Sequence, residues 1–243
     1  MDYNDYQAGA TGEHFWFKAK KQLIFNVLNT VKNNSRNKSA QNNILNIGAG
    51  TGDDLAIIKQ FGNIYAIDVN QKALDLIPPD LVFEKKIDNA CSLSYEDNFF
   101  DRIVAFDVLE HIENDNQAVK EILRTLKPGG FFIFTVPAFN FLYSEHDRHL
   151  EHYRRYNKPM LRKLFTDFKQ IRLGYWNFLL FPGAAAQRLI NKNKIYNTAL
   201  QANPASKINT LLYNILNFET WLVTHRVPLP YGLSLFGIYQ KQK

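Results

Sequence analysis

The sequence predicts a doubly wound α/β domain with a seven-stranded, mostly parallel sheet. Two observations lead to this fold class. Short apolar runs alternate with stretches of helical periodicity between residues 44 and 136, as in βαβ units. The chain has 243 residues, 46% hydrophobic and 21% charged, which suits one globular domain with a sizeable core. We therefore expect residues 1–243 to form a single domain with a helical insertion at about 178–230.

The elements follow one another in a regular order. A first helix is predicted at Glu13–Val31 from apolar residues at three- and four-residue spacing, and the polar stretch Asn33–Asn43 separates it from the sheet. Right-handed crossovers between parallel strands then place helices on both faces. The strand candidates are Ile44–Ile47, Ile64–Ile67, Leu81–Ile87, Ile103–Val108 and Phe131–Val136, and the helix candidates between them are Asp53–Gln60, Asn70–Ile77 and Asn116–Leu126.

The last third of the chain departs from this rhythm. Two further strands are predicted at Phe168–Trp176 and Ser234–Gln240, with about fifty residues between them. Two segments of this insertion, Gly183–Asn191 and Ile208–Thr224, are helical by period. Before strand five, Lys127–Gly130 is predicted to end a helix, because it contains Pro-Gly-Gly.

Composition excludes several classes of protein. The net charge of +6 is mild and diffuse, so no nucleic-acid partner is expected. The single cysteine, Cys91, excludes an internal disulfide and a zinc site built on several cysteines. No run of about 20 apolar residues is long enough to span a membrane, and the N-terminus does not have the pattern of a signal peptide. We expect a cytoplasmic protein.

Three glycines at alternate positions follow the first predicted strand. Gly48, Gly50 and Gly52 permit a tight turn and let a ligand approach the backbone, ahead of the free N–H groups of a helix. The dinucleotide fingerprint requires glycine at its sixth position, where this chain has Asp53. An acid there would repel a pyrophosphate, which disfavours NAD and FAD.

Acidic residues end the next three strands. Asp68 is placed to accept hydrogen bonds from two ribose hydroxyls, and Asp88 from an adenine amino group. Asp107, after strand four, suits a cationic amino group or a sulfonium. Each acid alone is equally consistent with a helix cap or a solvated turn. Together they describe a nucleoside ligand without phosphate.

These motifs, with Asp107-Val108-Leu109-Glu110-His111 after strand four, resemble those of class I S-adenosylmethionine-dependent methyltransferases. The resemblance covers about Asn43–Phe168 and implies S-adenosylmethionine as cofactor. It places the glycine loop beside the amino-acid part of the cofactor, Asp68 at the ribose, Asp88 at adenine and the end of strand four near the methionine. The implied cofactor residues are Gly48, Ala49, Gly50, Gly52, Asp68, Val69, Asp88, Asn89, Ala90, Phe106, Asp107 and His111.

The first helix carries three consecutive aromatic residues, Phe15, Trp16 and Phe17. They cannot all face one side of a helix, so at least one meets something other than the core. The segment is similar to an aromatic opening in a bacterial subgroup of these enzymes, in which the helix covers the cofactor. This implies that residues 1–33 cover the cofactor and adds Trp16 and Lys20 to its site. Packing of the aromatics on the sheet alone is the alternative.

A histidine-rich segment follows strand five. His146, His149 and His152 recur every three residues and could face one side of a helix as metal ligands, but the chain lacks the other ligands of a familiar site, and we expect no metal. A solvated helix is a second interpretation. The third is proton handling by His152, with Asp147 as its orienting or alternative partner. Downstream, Arg154-Arg155-Tyr156 either binds an acidic acceptor group or forms a basic surface.

The sequence thus predicts methyl transfer to a small-molecule or lipid-like acceptor, with oxygen favoured over nitrogen and carbon. A cofactor-binding regulatory or scaffold subunit without catalysis, and an RNA or protein methyltransferase, remain as alternatives. We expect the insertion to roof an apolar acceptor, with extra core or a dimer face as the other possibilities. Peripheral membrane contact is a weaker variant, since Ile208–Thr224 has few cations. The oligomeric state is not predicted.

Overall fold

A computed structural model describes residues 14–31, 42–193 and 206–242. Seven strands form one sheet in the order β3-β2-β1-β4-β5-β7-β6, which confirms the predicted fold class. The strands are β1 (Asn43–Ile47), β2 (Asn63–Asp68), β3 (Glu84–Ile87), β4 (Phe100–Phe106), β5 (Leu126–Pro137), β6 (Phe168–Trp176) and β7 (Ser234–Lys241). The helices are α1 (Phe15–Thr30), α2 (Leu55–Ile58), α3 (Gln71–Asp75), α4 (Asp115–Thr125), α5 (Glu145–His149), α6 (Lys158–Leu164), α7 (Phe181–Ile190) and α8 (Ser206–Thr224).

The direction of the strands determines where a ligand can bind. Strands β1 to β5 pair in parallel, whereas β7 runs antiparallel to both β5 and β6. The strand order reverses between β1 and β4, and a crevice forms outside the carboxyl ends of parallel strands at such a switch point. The glycine loop after β1 and the turn after β4 both lie at this edge.

Apolar packing joins the first helix and the insertion to the sheet. Leu23, Ile24, Val27 and Leu28 of α1 are all buried in the core. Helix α1 also packs along α8, where the Asn26 side-chain amide donates to the Thr224 hydroxyl at 3.0 Å. Two helices that are far apart in sequence therefore pack against each other beside the sheet.

Several predicted boundaries differ from the observed ones. The predicted helix at 53–60 is a short α2 followed by a 3-10 turn, and the one at 70–77 begins after Asn70, whose side chain caps it. Strand β5 begins at Leu126, earlier than predicted, because Leu126 pairs with Phe100 across a register shift. The Pro-Gly-Gly segment therefore lies within this strand. Residues 1–13, 32–41 and 194–205, which include parts of the predicted first helix, linker and insertion, lie outside the described residues.

Among the described helices, none has the length and apolar character that crossing a bilayer requires.

Candidate functional site

A cavity of about 1460 Å³ opens at the carboxyl ends of the parallel strands. Pockets for one drug-sized ligand span about 300–1,000 Å³, so this cavity has room for two molecules. Of the residues predicted for the site, Ala49, Gly52 and Asp147 do not line it. Those that do are Trp16, Lys20, Gly48, Gly50, Asp68, Val69, Asp88, Asn89, Ala90, Phe106, Asp107, His111 and His152.

The backbone conformation of the glycine loop favours glycine at all three positions. Gly48, Gly50 and Gly52 have φ angles of 65°, 52° and 84°, in the left-handed region that favours glycine. A Cβ atom at Gly48 would lie 2.5 Å from Cγ2 of Val108. The loop therefore brings bare backbone to the cavity wall.

Asp68 holds this loop and the start of α3 together. Its two carboxylate oxygens accept the N–H groups of Gly50 at 2.8 Å and Asn70 at 2.9 Å. Each carboxylate oxygen has a further lone pair, so Asp68 can accept hydroxyl groups from a ligand in the cavity. The ribose role implied by the sequence stays a prediction.

Asp88 follows the end of β3, and its carboxylate already accepts hydrogen bonds from nearby residues. Its carboxylate accepts the N–H of Asn89 at 2.9 Å and both the N–H and the hydroxyl of Ser94, at 3.0 and 2.8 Å. The Asn89 side chain in turn accepts the N–H of Cys91 at 2.8 Å. These bonds fix a turn whose residues line one end of the cavity.

Lys20 and Asp107 form an ion pair that the sequence analysis did not predict. Lys20 Nζ lies 2.8 Å from Asp107 Oδ2, and Thr135 donates to Oδ1 at 2.9 Å. Burial alone would lower the pKa of Lys20, but the charge of Asp107 outweighs it and the pKa is raised. Burial likewise opposes ionisation of Asp107, whose pKa Lys20 nevertheless lowers. Both groups are therefore charged.

The three consecutive aromatic residues of α1 all line the cavity. Phe15 is buried, whereas Trp16 and Phe17 are partly buried. The Trp16 ring lies 5.0 Å from that of Trp176 at the end of β6, and the Trp176 indole donates to Thr220 of α8 at 3.0 Å. Helix α1 is thus a wall of the cavity and not only a layer on the sheet.

Asp147 organises the segment after β5. It is fully buried, and its Oδ1 accepts from Arg155 Nε at 2.9 Å and Nη2 at 2.6 Å. His152 Nδ1 lies 3.2 Å from the same oxygen, and Arg188 Nη1 lies 3.3 Å from Oδ2. Burial would raise the pKa of Asp147, but the hydrogen bonds from His152 and Arg155 hold it well below its usual value. Asp147 is therefore ionised, and its low pKa makes it a weak base.

His152 is a cavity-lining residue, and its partner Asp147 lies behind the cavity wall. Pairing through Nδ1 leaves Nε2 of His152 for the cavity. The rings of His152 and His111 meet edge to face with centroids 4.5 Å apart. The solvated-helix interpretation applies to the exposed His149 but not to His152, whose side chain is only 10% exposed.

Glu110 is a site residue that the sequence analysis did not select. It is buried and lines the cavity, and its Oε2 has no hydrogen-bond partner among the described residues. Burial and then the charge of Asp107 raise its pKa well above the usual value, so Glu110 can carry a proton and donate a hydrogen bond.

The ligand atoms of Glu110, His111 and His152 lie within 4.8 Å of one another, a spacing that a divalent cation can accept. This possible metal-binding group differs from the one considered in the sequence analysis, which consisted of His146, His149 and His152.

The basic residues after His152 are bonded to acidic residues of the chain. Arg154 pairs with Asp115 at 2.8 Å. The Tyr156 hydroxyl lies within hydrogen-bond distance of two acceptors, the Asp115 carboxylate at 2.9 Å and the Leu109 carbonyl at 3.0 Å. Together with the bonds from Arg155 to Asp147, these tie the segment after β5 to the turn after β4. Arg155 is buried and so is not part of a basic surface patch, but it lines the cavity, and the acidic-acceptor interpretation stays a prediction.

The insertion supplies the remaining wall. Leu180, Gly183 and Gln187 around α7, and Leu212 of α8, line the cavity. The Glu219 carboxylate of α8 is buried and accepts the N–H groups of Phe178 and Leu179 at 2.9 and 3.0 Å, which fixes α8 against the start of α7. The insertion is therefore not remote from the strand ends.

Comparison with known proteins adds a family to this geometry. Residues 45–134 match the family described as "Methyltransferase domain". A 2-methyl-6-phytyl-1,4-hydroquinone methyltransferase of Synechocystis is 30% identical over 131 residues, which are 51% of this chain and 39% of that protein. A ubiquinone/menaquinone biosynthesis C-methyltransferase of Pseudomonas aeruginosa is 28% identical over 144 residues, 52% of this chain and 53% of that protein. The chain thus spans about two fifths to one half of these relatives.

Solved structures show the same fold. The phosphoethanolamine N-methyltransferase 2 of Haemonchus contortus, solved with S-adenosyl-L-methionine, has a TM-score of 0.57 and 17% identity. The likeness covers 90% of this chain and 53% of that one. At this identity the likeness concerns the fold alone.

Proposed function

We propose that this chain, which belongs to the class I S-adenosylmethionine-dependent methyltransferases, transfers a methyl group to a hydroxyl oxygen of a small, lipid-like acceptor. One observation carries the proposal. The glycine loop, Asp68 and His152 line a single cavity with volume for a second ligand, and Asp147 pairs with His152 behind the cavity wall. A cofactor site and a proton-handling group thus face the same space.

The described residues fit S-adenosylmethionine. Gly48 and Gly50 line the cavity with backbone atoms alone, and Asp68 retains lone pairs for ribose hydroxyls. The turn at Asp88 and Asn89 would receive the adenine, and Phe106 with Asp107 the methionine end. When bound, the cofactor supplies an electrophilic methyl carbon on a sulfonium. The predicted covering role of residues 1–33 stays a proposal, supported by Trp16 and Lys20 in the cavity wall.

The acceptor end of the cavity is built largely by α1 and the insertion. Trp16, Phe17, Leu180 and Leu212 give it aromatic and aliphatic surface. Apolar walls with few polar groups favour an acceptor that is itself largely apolar. The name of the Synechocystis relative contains a phytyl-bearing hydroquinone, a molecule of this kind. We therefore favour a phenol or hydroquinone with an apolar substituent.

Oxygen as the acceptor atom rests on the histidine pair. A neutral hydroxyl is a poor nucleophile and must lose its proton as it attacks. In our proposal that proton passes to Nε2 of His152 while the new carbon–oxygen bond forms and the carbon–sulfur bond breaks. Asp147, ionised and fixed by Arg155, holds the tautomer of His152 and stabilises its cation.

Carbon is the second candidate atom, because the Pseudomonas relative is named a C-methyltransferase. The test is to incubate the purified chain with S-adenosylmethionine and a panel of alkyl-substituted phenols and hydroquinones. Mass spectrometry then locates the new methyl group. We expect an O-methyl ether; a ring-methylated product would overturn the oxygen assignment.

The ribose assignment gives a prediction on cofactor affinity. Replacing Asp68 with alanine should weaken S-adenosylmethionine binding by about 1.5–3 kcal/mol, the scale of hydrogen bonds to a charged group. Calorimetry measures this. The control is Asp75→Ala, which removes an exposed carboxylate at the end of α3 that does not line the cavity. Equal affinity in the Asp68 variant and the wild type would rule out the ribose role.

A further inference from the structure

The outward side of α8 carries an apolar stripe. Ile208, Leu211, Phe218 and Trp221 are each more than half exposed, and their spacing of three and seven residues places them along one side of the helix. The rings of Phe218 and Trp221 are stacked with centroids 6.1 Å apart. We call these four residues the outer stripe. Stacked exposed aromatic rings of this kind are costly in water and suit an interface.

The outer stripe lies beside the acceptor end of the cavity. Leu211 belongs to the stripe, and the next residue, Leu212, lines the cavity. Helix α7, which also lines the cavity, ends in Leu189 and Ile190, and these are 50% and 80% exposed. Both described helices of the insertion therefore expose apolar side chains.

The charge of this part of the chain is strongly asymmetric. Residues 168–243 contain nine Lys and Arg but one acid, Glu219, which gives +8, whereas residues 1–167 contain twenty basic and twenty-two acidic residues. Glu219 is buried and turned inward onto Phe178 and Leu179. The described surface of α7 and α8 therefore exposes no carboxylate, while Lys207 and Arg226 are exposed near the two ends of α8.

We propose that the outer stripe, with Lys207 and Arg226, docks the chain on a lipid bilayer that contains anionic lipid. Aromatic side chains favour the membrane–water interface, and nearby Lys and Arg residues add attraction to anionic headgroups. Two copies joined by this face would bring Lys207 and Arg226 of each copy together with no facing carboxylate on α7 or α8, which favours a bilayer over a second copy. The inference rests on the proposed function in one respect: docking beside the acceptor end would give a lipid-like acceptor a short path into the cavity.

Vesicle sedimentation of the full chain tests the proposal. We expect binding to vesicles of phosphatidylcholine mixed with phosphatidylglycerol, and weaker binding to phosphatidylcholine alone. Replacing both Phe218 and Trp221 with glutamine should lower vesicle affinity about tenfold or more, since each ring loses its contact with the lipid. The charge-reversal pair Lys207→Glu and Arg226→Glu should remove the preference for anionic vesicles.

The matched control is Phe83→Gln, which removes an exposed aromatic ring beside β3, at the opposite edge of the sheet. It should leave vesicle binding unchanged, and thermal melts confirm that each variant is folded. A wild-type chain that stays in the supernatant with both vesicle types overturns the proposal. So does a dimer in solution that the Phe218/Trp221 variant dissociates, since the stripe is then a contact between copies.

Vesicle binding is measured without cofactor or acceptor, so it can fail separately from the proposed activity. Vesicle binding with no methyl transfer to any acceptor would contradict the proposed function but support the membrane-docking surface. Methyl transfer with no vesicle binding would support the proposed function and contradict the docking surface.

Discussion

Replacing His152 with alanine should lower the rate of methyl transfer by about 10²–10⁴-fold, the usual contribution of a general base. Affinity for S-adenosylmethionine should stay near that of the wild type, because the hydrogen bonds that fix the glycine loop and Asp68 do not involve His152. The measurements are turnover at saturating acceptor and calorimetry of cofactor binding.

His149→Ala is the control for this variant. His149 lies three residues earlier and is exposed, so its removal should leave turnover unchanged. Repeating the wild-type assay with EDTA separates two roles of His152, because loss of activity on chelation would assign it to a cation held with Glu110 and His111. If His152→Ala keeps most of its turnover, the proton-handling assignment is wrong.

Replacing Asp147 with asparagine should lower the free energy of unfolding by about 3–5 kcal/mol, the cost of breaking a buried ion pair from one side. The change leaves Arg155, which is 3% exposed, without its anion. Urea unfolding measures the loss. The control is Glu145→Gln in the same short helix, whose pair with Arg148 is exposed and should contribute about 1 kcal/mol or less.

The effect of Asp147 should also depend on pH in a known direction. Its pKa in the folded chain is depressed below that of the unfolded chain, about 3.9. The stabilisation it provides is therefore complete above that value and is lost as the pH falls through the folded pKa. The stability difference between the wild type and Asp147→Asn should thus shrink in acid. A difference that stays constant from pH 7 into strong acid would contradict the account.

The alternating strands and the loops at their ends could be predicted from the sequence because their signals are local. Each signal spans only a few residues: an apolar run, a glycine loop or an acid after a strand. The apolar runs form the sheet, and most of the glycines and acids line one cavity. The start of β5 could not be predicted from local signals, because Leu126 joins the strand by pairing with Phe100 of β4.

Other features could not be predicted because they depend on contacts between distant residues. Lys20 and Asp107 are far apart in sequence, and only the packing of α1 over the end of β4 brings them to 2.8 Å. Asp147 belongs to a strongly charged segment that reads as a solvated helix, yet it is buried. Glu110 is identified as a candidate site residue only by its burial and by a carboxylate oxygen without a partner among the described residues. An acid next to His111 was the one available signal.

The central claim is that the chain is a catalyst of methyl transfer and not only a binder of the cofactor. The most direct measurement is transfer of labelled methyl from S-adenosylmethionine to a lipid extract by the purified chain. We predict label in the organic phase, reduced by Asp68→Ala and by His152→Ala. Tight cofactor binding by calorimetry with no label in any fraction would contradict the account and indicate a regulatory or scaffold subunit.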